Sequence, residues 1–199
     1  MLVVSKLPRL VNSLDRAPQY VKIIAGHWRG TRLPVMLKDG VRPTANRVRE
    51  TLFNWLQMSI EGSHCLDMFA GSGALGFEAV SRGAGSATLI DNDPKIIELL
   101  TEQAKRLHAD NIKILCADSL QFCEQTNNQY DCIFIDPPFS RFNHAEILDK
   151  ISSSQMLKDN TLVYVEGPTG NLPQQLPSEW QWKRQSKAGD VEYGLIQTS

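Results

Sequence analysis

The sequence predicts an α/β fold: a mostly parallel sheet preceded by a small basic β-hairpin and a helix. Three observations predict it. From His64 onward short apolar runs alternate with helical stretches. Those runs are continuous rather than alternating, as strands covered on both faces are. The charge also divides unevenly. Residues 1–49 carry ten Lys and Arg against two Asp, a net of +8, and the remainder carries −9, although the whole chain is at −1. A basic segment on an acidic body suggests a polyanion-binding arm joined to a domain with another task.

Residues 1–19 show no period, contain Pro8 and Pro18, and are expected to be mobile. Val21–Ala25 and 33–37 are apolar runs separated by Gly26 and Gly30, which predicts a hairpin with a six- to eight-residue connection. Thr44 is the expected N-cap of a helix reaching Ser59, with Val48, Leu52, Trp55 and Leu56 on one face. Sheet strands are expected at Cys65–Phe69, Ala87–Ile90, Ile112–Cys116, Cys132–Ile135 and Leu162–Val165. The clearest helix opens at Asp93-Pro94 and aligns Ile96, Leu100, Ala104 and Leu107. Trp180–Ser186 and Val191–Gln197, joined through Ala188-Gly189-Asp190, read as a closing antiparallel hairpin. The domain division expected is 1–43 for the mobile N-terminus and basic hairpin arm, and 44–199 for the α/β domain.

With 199 residues, 42% hydrophobic and 22% charged, the chain excludes a disordered protein. No apolar run approaches the roughly 20 residues of a membrane helix. Met1 to Lys6 lacks the pattern of a signal peptide, so a cytoplasmic protein is expected. Cys65, Cys116, Cys123 and Cys132 have no paired spacing; three lie in strand-like stretches and read as buried free thiols. No His/Cys/Asp spacing suggests a metal.

Within the basic segment, His27-Trp28-Arg29-Gly30-Thr31-Arg32, then Arg42, Arg47 and Arg49, interleave Arg with an aromatic and with glycines. Nucleic-acid surfaces combine cations for phosphates with flat side chains for bases. A solvated basic tail is the plain alternative.

Two motifs carry chemistry. Cys65-Leu66-Asp67-Met68-Phe69 leads into Ala70-Gly71-Ser72-Gly73-Ala74-Leu75-Gly76. Glycines there allow a tight turn and close approach of a ligand to the backbone, and Gly71, Gly73 and Gly76 also match a dinucleotide fingerprint. Asp67 beside the turn repels a pyrophosphate but suits an amino group. Asp91 closes the second sheet strand, where a carboxylate accepts from ribose hydroxyls, and Asp118 closes the third, within reach of an adenine amine. An ammonium, a ribose and an adenine without phosphates are the parts of S-adenosylmethionine. The alternative is that these aspartates merely cap helices.

The second motif ends a buried strand: Asp131-Cys132-Ile133-Phe134-Ile135, then Asp136-Pro137-Pro138-Phe139. Prolines lack the backbone donor and leave carbonyls outward. An Asp carboxylate and a proline carbonyl together accept both protons of a nucleobase amine, favouring a pyramidal nitrogen whose lone pair attacks a methyl sulfonium. Phe139 would stack on the base. The plain alternative is a Pro-Pro turn, with Asp136 capping a helix near Asn143.

At these residues the chain resembles a known family. Ile24-Ala25-Gly26-His27-Trp28-Arg29-Gly30, Arg42-Pro43-Thr44 with Arg47-Val48-Arg49-Glu50-Thr51-Leu52-Phe53-Asn54-Trp55-Leu56, the Asp67–Gly76 block and Asp136-Pro137-Pro138-Phe139 are similar to the bacterial RsmD family. These are 16S rRNA guanine-N2 methyltransferases dependent on S-adenosylmethionine. The resemblance spans about residues 20–199. It implies a class I methyltransferase Rossmann-like sheet of seven strands, the last hairpin inserting one antiparallel strand. It also implies a monomer acting on a guanine of the assembled small subunit. Carried over, Asp67, Gly71 and Gly73 line the methionine side of the cofactor, with Phe69 and Ala70 flanking. Asp91 holds the ribose and Asp118 the adenine, Asn92 and Ser119 beside them also bind the cofactor, and Thr44 with Arg42 nearby covers the methionine end. Asp136 and Pro137 grip the amine and Phe139 the ring, with Pro138 between them in the same catalytic motif. Trp28, Arg29, Arg32 and Arg47, with His27 beside them, form the RNA arm. Asp91 stands where the family often has Glu.

Three rivals share parts of this pattern: a DNA adenine or cytosine amino-methyltransferase, a nicotinamide dehydrogenase resting on the glycine fingerprint, and a catalytically silent RNA-binding protein. The second lacks a hydride-handling His or Lys, and the first has no room for a target-recognition domain.

Overall fold

A computed structural model describes residues 19–36, 45–138 and 142–199. Arg42, Thr44 and Phe139, the boundary at 43/44 and residues 1–18 lie outside the described residues.

The chain opens with an antiparallel hairpin, β1 (Gln19–Lys22) and β2 (Arg32–Val35), in register Lys22↔Arg32. Its connection runs over nine residues, 23–31, rather than six to eight, because Gly26 and Gly30 take positive φ and turn the chain twice. Helix α1 covers Asn46–Trp55, shorter at both ends than the sequence predicts. Ala45 stands at its N-cap in extended backbone with no side-chain cap, so the expected Thr44 cap falls one residue too early. Beyond Trp55 the chain continues as hydrogen-bonded turns, Ser59 N–H to Leu56 O and Ile60 N–H to Leu56 O, and Gln57, Met58 and Ser59 all stay exposed.

Alternating strands and helices follow: β3 (His64–Asp67), α2 (Ala74–Ser81), β4 (Ser86–Asp91), α3 (Pro94–Leu107), β5 (Ile112–Cys116), α4 (Ser119–Gln125), β6 (Tyr130–Ile135), α5 (His144–Ser152), β7 (Leu157–Pro168), β8 (Gln181–Ala188) and β9 (Val191–Gln197). Helix α3 starts as its sequence dictates: Asp93 accepts from Lys95 N–H at 2.9 Å, and Pro94 fills the first turn, where no donor is needed. The large sheet runs β5-β4-β3-β6-β7-β9-β8. Neighbours from β5 to β7 pair in parallel, and β9 lies antiparallel between β7 and β8. This is the methyltransferase Rossmann-like sheet of seven strands, with one strand reversed by the final hairpin.

Because successive strand residues face opposite ways, the inner strands feed two cores. One holds Cys65, Leu89, Cys132, Phe134 and Tyr164 against α1, α2, α3 and the hairpin residues Ile23 and Leu33. The other holds Leu66, Ile90, Ile133, Val163 and Ile196 against Ile147, Leu148 and Ile151 of α5. The edge strand β5 is covered less, and Cys116 at its end is exposed, contrary to the expectation of a buried thiol; the third buried cysteine is Cys123 on α4. Strand β7 extends past the expected 162–165 because a register shift loops out residues between Leu157 and Leu162.

The hairpin packs on the same core as the sheet. Gly26, at φ +80°, sits so close to α2 that a Cβ there would lie 1.7 Å from the Ser81 carbonyl oxygen. Ser81 closes the joint: its carbonyl accepts from His27 N–H at 2.7 Å, and its hydroxyl accepts from Trp28 N–H and donates to the Ala25 carbonyl.

Candidate active site

In an open α/β sheet ligands bind beyond the carboxyl ends of the strands, where the strand order reverses. Here that point lies between β3 and β6, since the chain steps outward through β4 and β5 and then returns beside β3. Both motifs singled out in the sequence end on these two strands.

The first, after β3, is the glycine turn. Gly73 takes φ +74° at the N-cap of α2, and a Cβ on it would meet Phe77 at 2.6 Å and Leu100 at 2.7 Å. At Gly71, φ +50°, the nearest atom to such a Cβ is the Phe69 carbonyl oxygen at 4.0 Å, so the backbone is open to a ligand. Asp67, 2% exposed, is turned under the turn and accepts from Gly76 N–H at 3.0 Å. Burial raises its carboxyl pKa to about 7; the backbone donors of Gly76 and Phe69 oppose the shift, while Asp136 and Asp91 add to it. Asp91, at the end of β4, bridges the turn to the next loop, accepting from Gly71 N–H at 3.1 Å and Asp93 N–H at 2.9 Å. Asp118 caps α4 through Oδ1, which accepts from Leu120 and Gln121 N–H, both at 3.0 Å. The capping alternative therefore holds for Asp118 itself, although both bonds fall on one oxygen. Ser119, buried, donates to the Met68 carbonyl and ties the end of β5 to the turn after β3. Asn92 is exposed and Ala70 buried.

Asp136, half-buried, follows β6, with Pro137 buried and Pro138 exposed. Asn143 caps α5 with its own side chain, accepting from Ala145 N–H at 3.0 Å, so Asp136 is not the cap of that helix. The far end of the loop comes back to the glycine turn, where the Phe142 and Phe69 rings pack with centroids 4.9 Å apart.

The residues present fit S-adenosylmethionine better than a dinucleotide. The open backbone at Gly71 follows Asp67, whose carboxyl burial pushes up and whose ionisation Asp136 and Asp91 make costlier still. A pyrophosphate there would add repulsion, whereas a ligand with a cationic amino-acid end relieves it. Among the described residues no group of His, Cys, Asp and Glu could hold a metal ion.

The basic residues divide. His27, Arg29, Arg32 and Arg47 are exposed, and Trp28 is half-buried with its ring 6.2 Å from Phe77. Arg49, grouped with them in the sequence, is fully buried. Its Nη2 donates to Lys22 O and Asn46 Oδ1, and its Nη1 lies 3.6 Å from Glu78. Glu78, equally buried, accepts from Ile24 N–H at 2.7 Å, Ala25 N–H at 3.0 Å and Arg82 Nε at 2.6 Å.

Sequence reasoning missed this joint, yet a signal existed. Helix α2 is apolar around its circumference, and such a helix is buried, so its one carboxylate needed partners. Arg49 shares the face of Leu52 and Phe53, three and four residues on. Tyr164 and Glu166, buried on β7 beside Asp136, were missed as well.

Residues 21–197 match a family model described as Conserved hypothetical protein 95. Ribosomal RNA small subunit methyltransferase D of Escherichia coli is 42% identical over 177 residues, covering 89% of each chain. The protein of that name from Haemophilus influenzae is 42% identical over 182 residues, 89% of this chain and 93% of its own. A solved Escherichia coli structure, described as a candidate methyltransferase, superposes with a TM-score of 0.82 at 38% identity, over 91% of this chain and 99% of that one.

Proposed function

The chain belongs to the RsmD family, whose model covers residues 21–197, and we propose that it methylates the exocyclic N2 amine of a guanine in 16S rRNA within the assembled small subunit. The observation that carries the reading is the placement of Asp136 at the end of β6, directly beside the glycine turn after β3. The donor, S-adenosylmethionine, supplies an electrophilic methyl group on a sulfonium that leaves as a neutral thioether. Asp67, Phe69, Ala70, Gly71 and Gly73 hold its methionine end together with Arg42 and Thr44. Asp91 and Asn92 take the ribose, and Asp118 and Ser119 the adenine.

The chain's own work is on the amine. Asp136 accepts one proton and the Pro137 carbonyl the other, drawing the nitrogen lone pair out of conjugation with the ring. Pro138 keeps the turn free of a competing donor, and Phe139 stacks on the base. As the new N–C bond forms, the nitrogen becomes acidic and its proton passes to Asp136 or to water.

His27, Trp28, Arg29, Arg32 and Arg47 contact RNA. Trp28 and Arg29 sit by the far end of α2, about 12 Å along the helix from the glycine turn. A substrate touching both places is therefore a folded RNA rather than a nucleotide. The protein acts as a monomer in the cytoplasm, where ribosomal subunits are; no helix among the described residues is long and apolar enough to cross a membrane.

The test is Asp136→Ala with labelled S-adenosylmethionine and unmethylated small subunits. Cofactor binding is retained while transfer falls at least about a hundredfold. Mass mapping of the wild-type product names the base and atom. Undiminished turnover in the variant overturns the mechanism, and subunit binding without transfer by the wild type leaves an RNA-binding protein.

A further inference from the structure

The hairpin presents a second face, opposite the one that packs on the body. In the β1–β2 ladder Val21 pairs with Leu33, and both are buried. Side chains alternate along a strand, so Tyr20 and Lys22 of β1 and Arg32 of β2 stand on the other face. All three are exposed there, Tyr20 at 49%. Lys22 and Arg32 are direct cross-strand partners, a pairing of like charges that costs stability. A third cation joins them from another element. Arg106, exposed on the last turn of α3, donates from Nη2 to the Arg32 carbonyl at 2.8 Å. A cation at a helix C-terminus ordinarily serves the carbonyls of its own helix, whereas this one is drawn across to the hairpin. Glu102, one turn earlier on α3, does not pair with it. Among the described residues no Asp or Glu forms an ion pair with Lys22, Arg32 or Arg106.

Three cations are gathered beside an exposed aromatic ring, and they repel one another until an anion lies between them. The chain that leads into the hairpin does not match this face by charge, since residues 1–18 carry Lys6, Arg9 and Arg16 against Asp15 alone. A nucleic acid supplies both complements, phosphates for the cations and a base plane for the ring, whereas an acidic protein surface supplies only the first. We infer that this outer face of the hairpin, with Arg106 beside it, is a docking surface for the rRNA backbone: Lys22, Arg32 and Arg106 take phosphates and Tyr20 an unstacked base. Arg106 spends one guanidinium donor on the Arg32 carbonyl and keeps the others for phosphate. The inference rests on the rRNA reading above and extends it. Arg106 lies about 18 Å along α3 from Pro94 at the cofactor end, so the RNA held here is remote from the target base.

The experiment measures binding to protein-free 16S rRNA over a range of salt, with cofactor affinity by calorimetry confirming that each variant is folded. Lys22→Gln with Arg106→Gln lowers the slope of log affinity against log salt by about two, one for each phosphate no longer neutralised. Lys22→Gln with Arg106→Lys gives up the bond to the carbonyl but keeps the charge, and lowers the slope by only about one. Tyr20→Ala leaves the slope alone and weakens binding by a factor of roughly 5 to 150, the worth of one stacked base. Wild-type slopes in the Gln variants mean that the cations merely keep a hairpin edge in water, and overturn the inference. So does a loss confined to assembled subunits, which places a ribosomal protein on this face instead. Failure of the parent reading is separate: the wild type would then not methylate rRNA at all.

Discussion

Glu78→Gln tests how the hairpin is held to the catalytic body. The side chain keeps its volume and loses its charge, at a site with no exposure. Four groups converge on it: the N–H groups of Ile24 and Ala25, Arg82 Nε, and Arg49 Nη1 at 3.6 Å. An amide offers one acceptor oxygen and turns an NH2 toward a donor, so at least one backbone bond is lost. Arg82 is partly exposed and can turn to water, but Arg49 is fully buried and stays behind as a stranded cation. Removing one partner of a buried pair costs about 3–5 kcal/mol. For a chain of this size that lowers Tm on the order of 10 °C. Thermal melts followed by circular dichroism give the shift, and hydrogen exchange at Ile24 and Ala25 reports the hairpin directly. Adding Arg49→Met recovers part of the loss by removing the stranded charge, while the hairpin N–H groups remain unpaired. A melt unchanged within about 2 °C, with both amides still protected, would refute the view that Glu78 anchors the hairpin.

Three further sites carry expected outcomes: Asp67, the glycine turn and the basic arm. Burial lifts the Asp67 carboxyl from 3.8 to about 7, so the folded state holds a proton that the unfolded chain has released. Stability from this group is then full below about pH 4 and declines as pH rises toward 7, and Asp67→Asn flattens that decline in urea titrations across pH. Because a cationic ligand favours the ionised carboxylate, cofactor affinity in the wild type weakens below about pH 7 with proton release, measured by calorimetry in buffers of different ionisation enthalpy. Gly73→Ala combines left-handed strain of about 1–2 kcal/mol with overpacking of about 1–3 kcal/mol against Phe77 and Leu100, and both stability and cofactor binding fall. Gly71→Ala, with open space around it, costs only the strain yet still obstructs the ligand, so calorimetry shows affinity lost with little change in melting. Arg29→Ala with Arg32→Ala leaves cofactor binding intact and weakens RNA binding, the slope of log affinity against log salt dropping by about one for each phosphate no longer neutralised.

What could be read from the chain follows from what is local in it. Helix α3 announces itself through Asp93-Pro94, and the chemistry-bearing motifs are contiguous runs, so the order of strands and the ends carrying Asp67, Asp91, Asp118 and Asp136 were legible. The start of α1 was not, because Thr offers a capping oxygen and Ala none, yet Ala45 takes the N-cap with no side-chain bond, and Cys116 read as buried because a sequence does not say which strand is the edge.

The largest surprise was the fate of one arginine among several. Arg29, Arg32, Arg47 and Arg49 are alike as letters; three face water and one lies in the core against Glu78. Bonds such as that from Ile24 to Glu78 join positions 54 residues apart, and the pairing of Ile135 with Val165 exists only through the register of two strands separated by a helix. Periodicity and short motifs determined the elements and the chemistry at their ends. The tertiary structure alone decided which charges lost their water, because desolvation depends on every neighbour that packs around a group and not on the residues adjoining it in the chain.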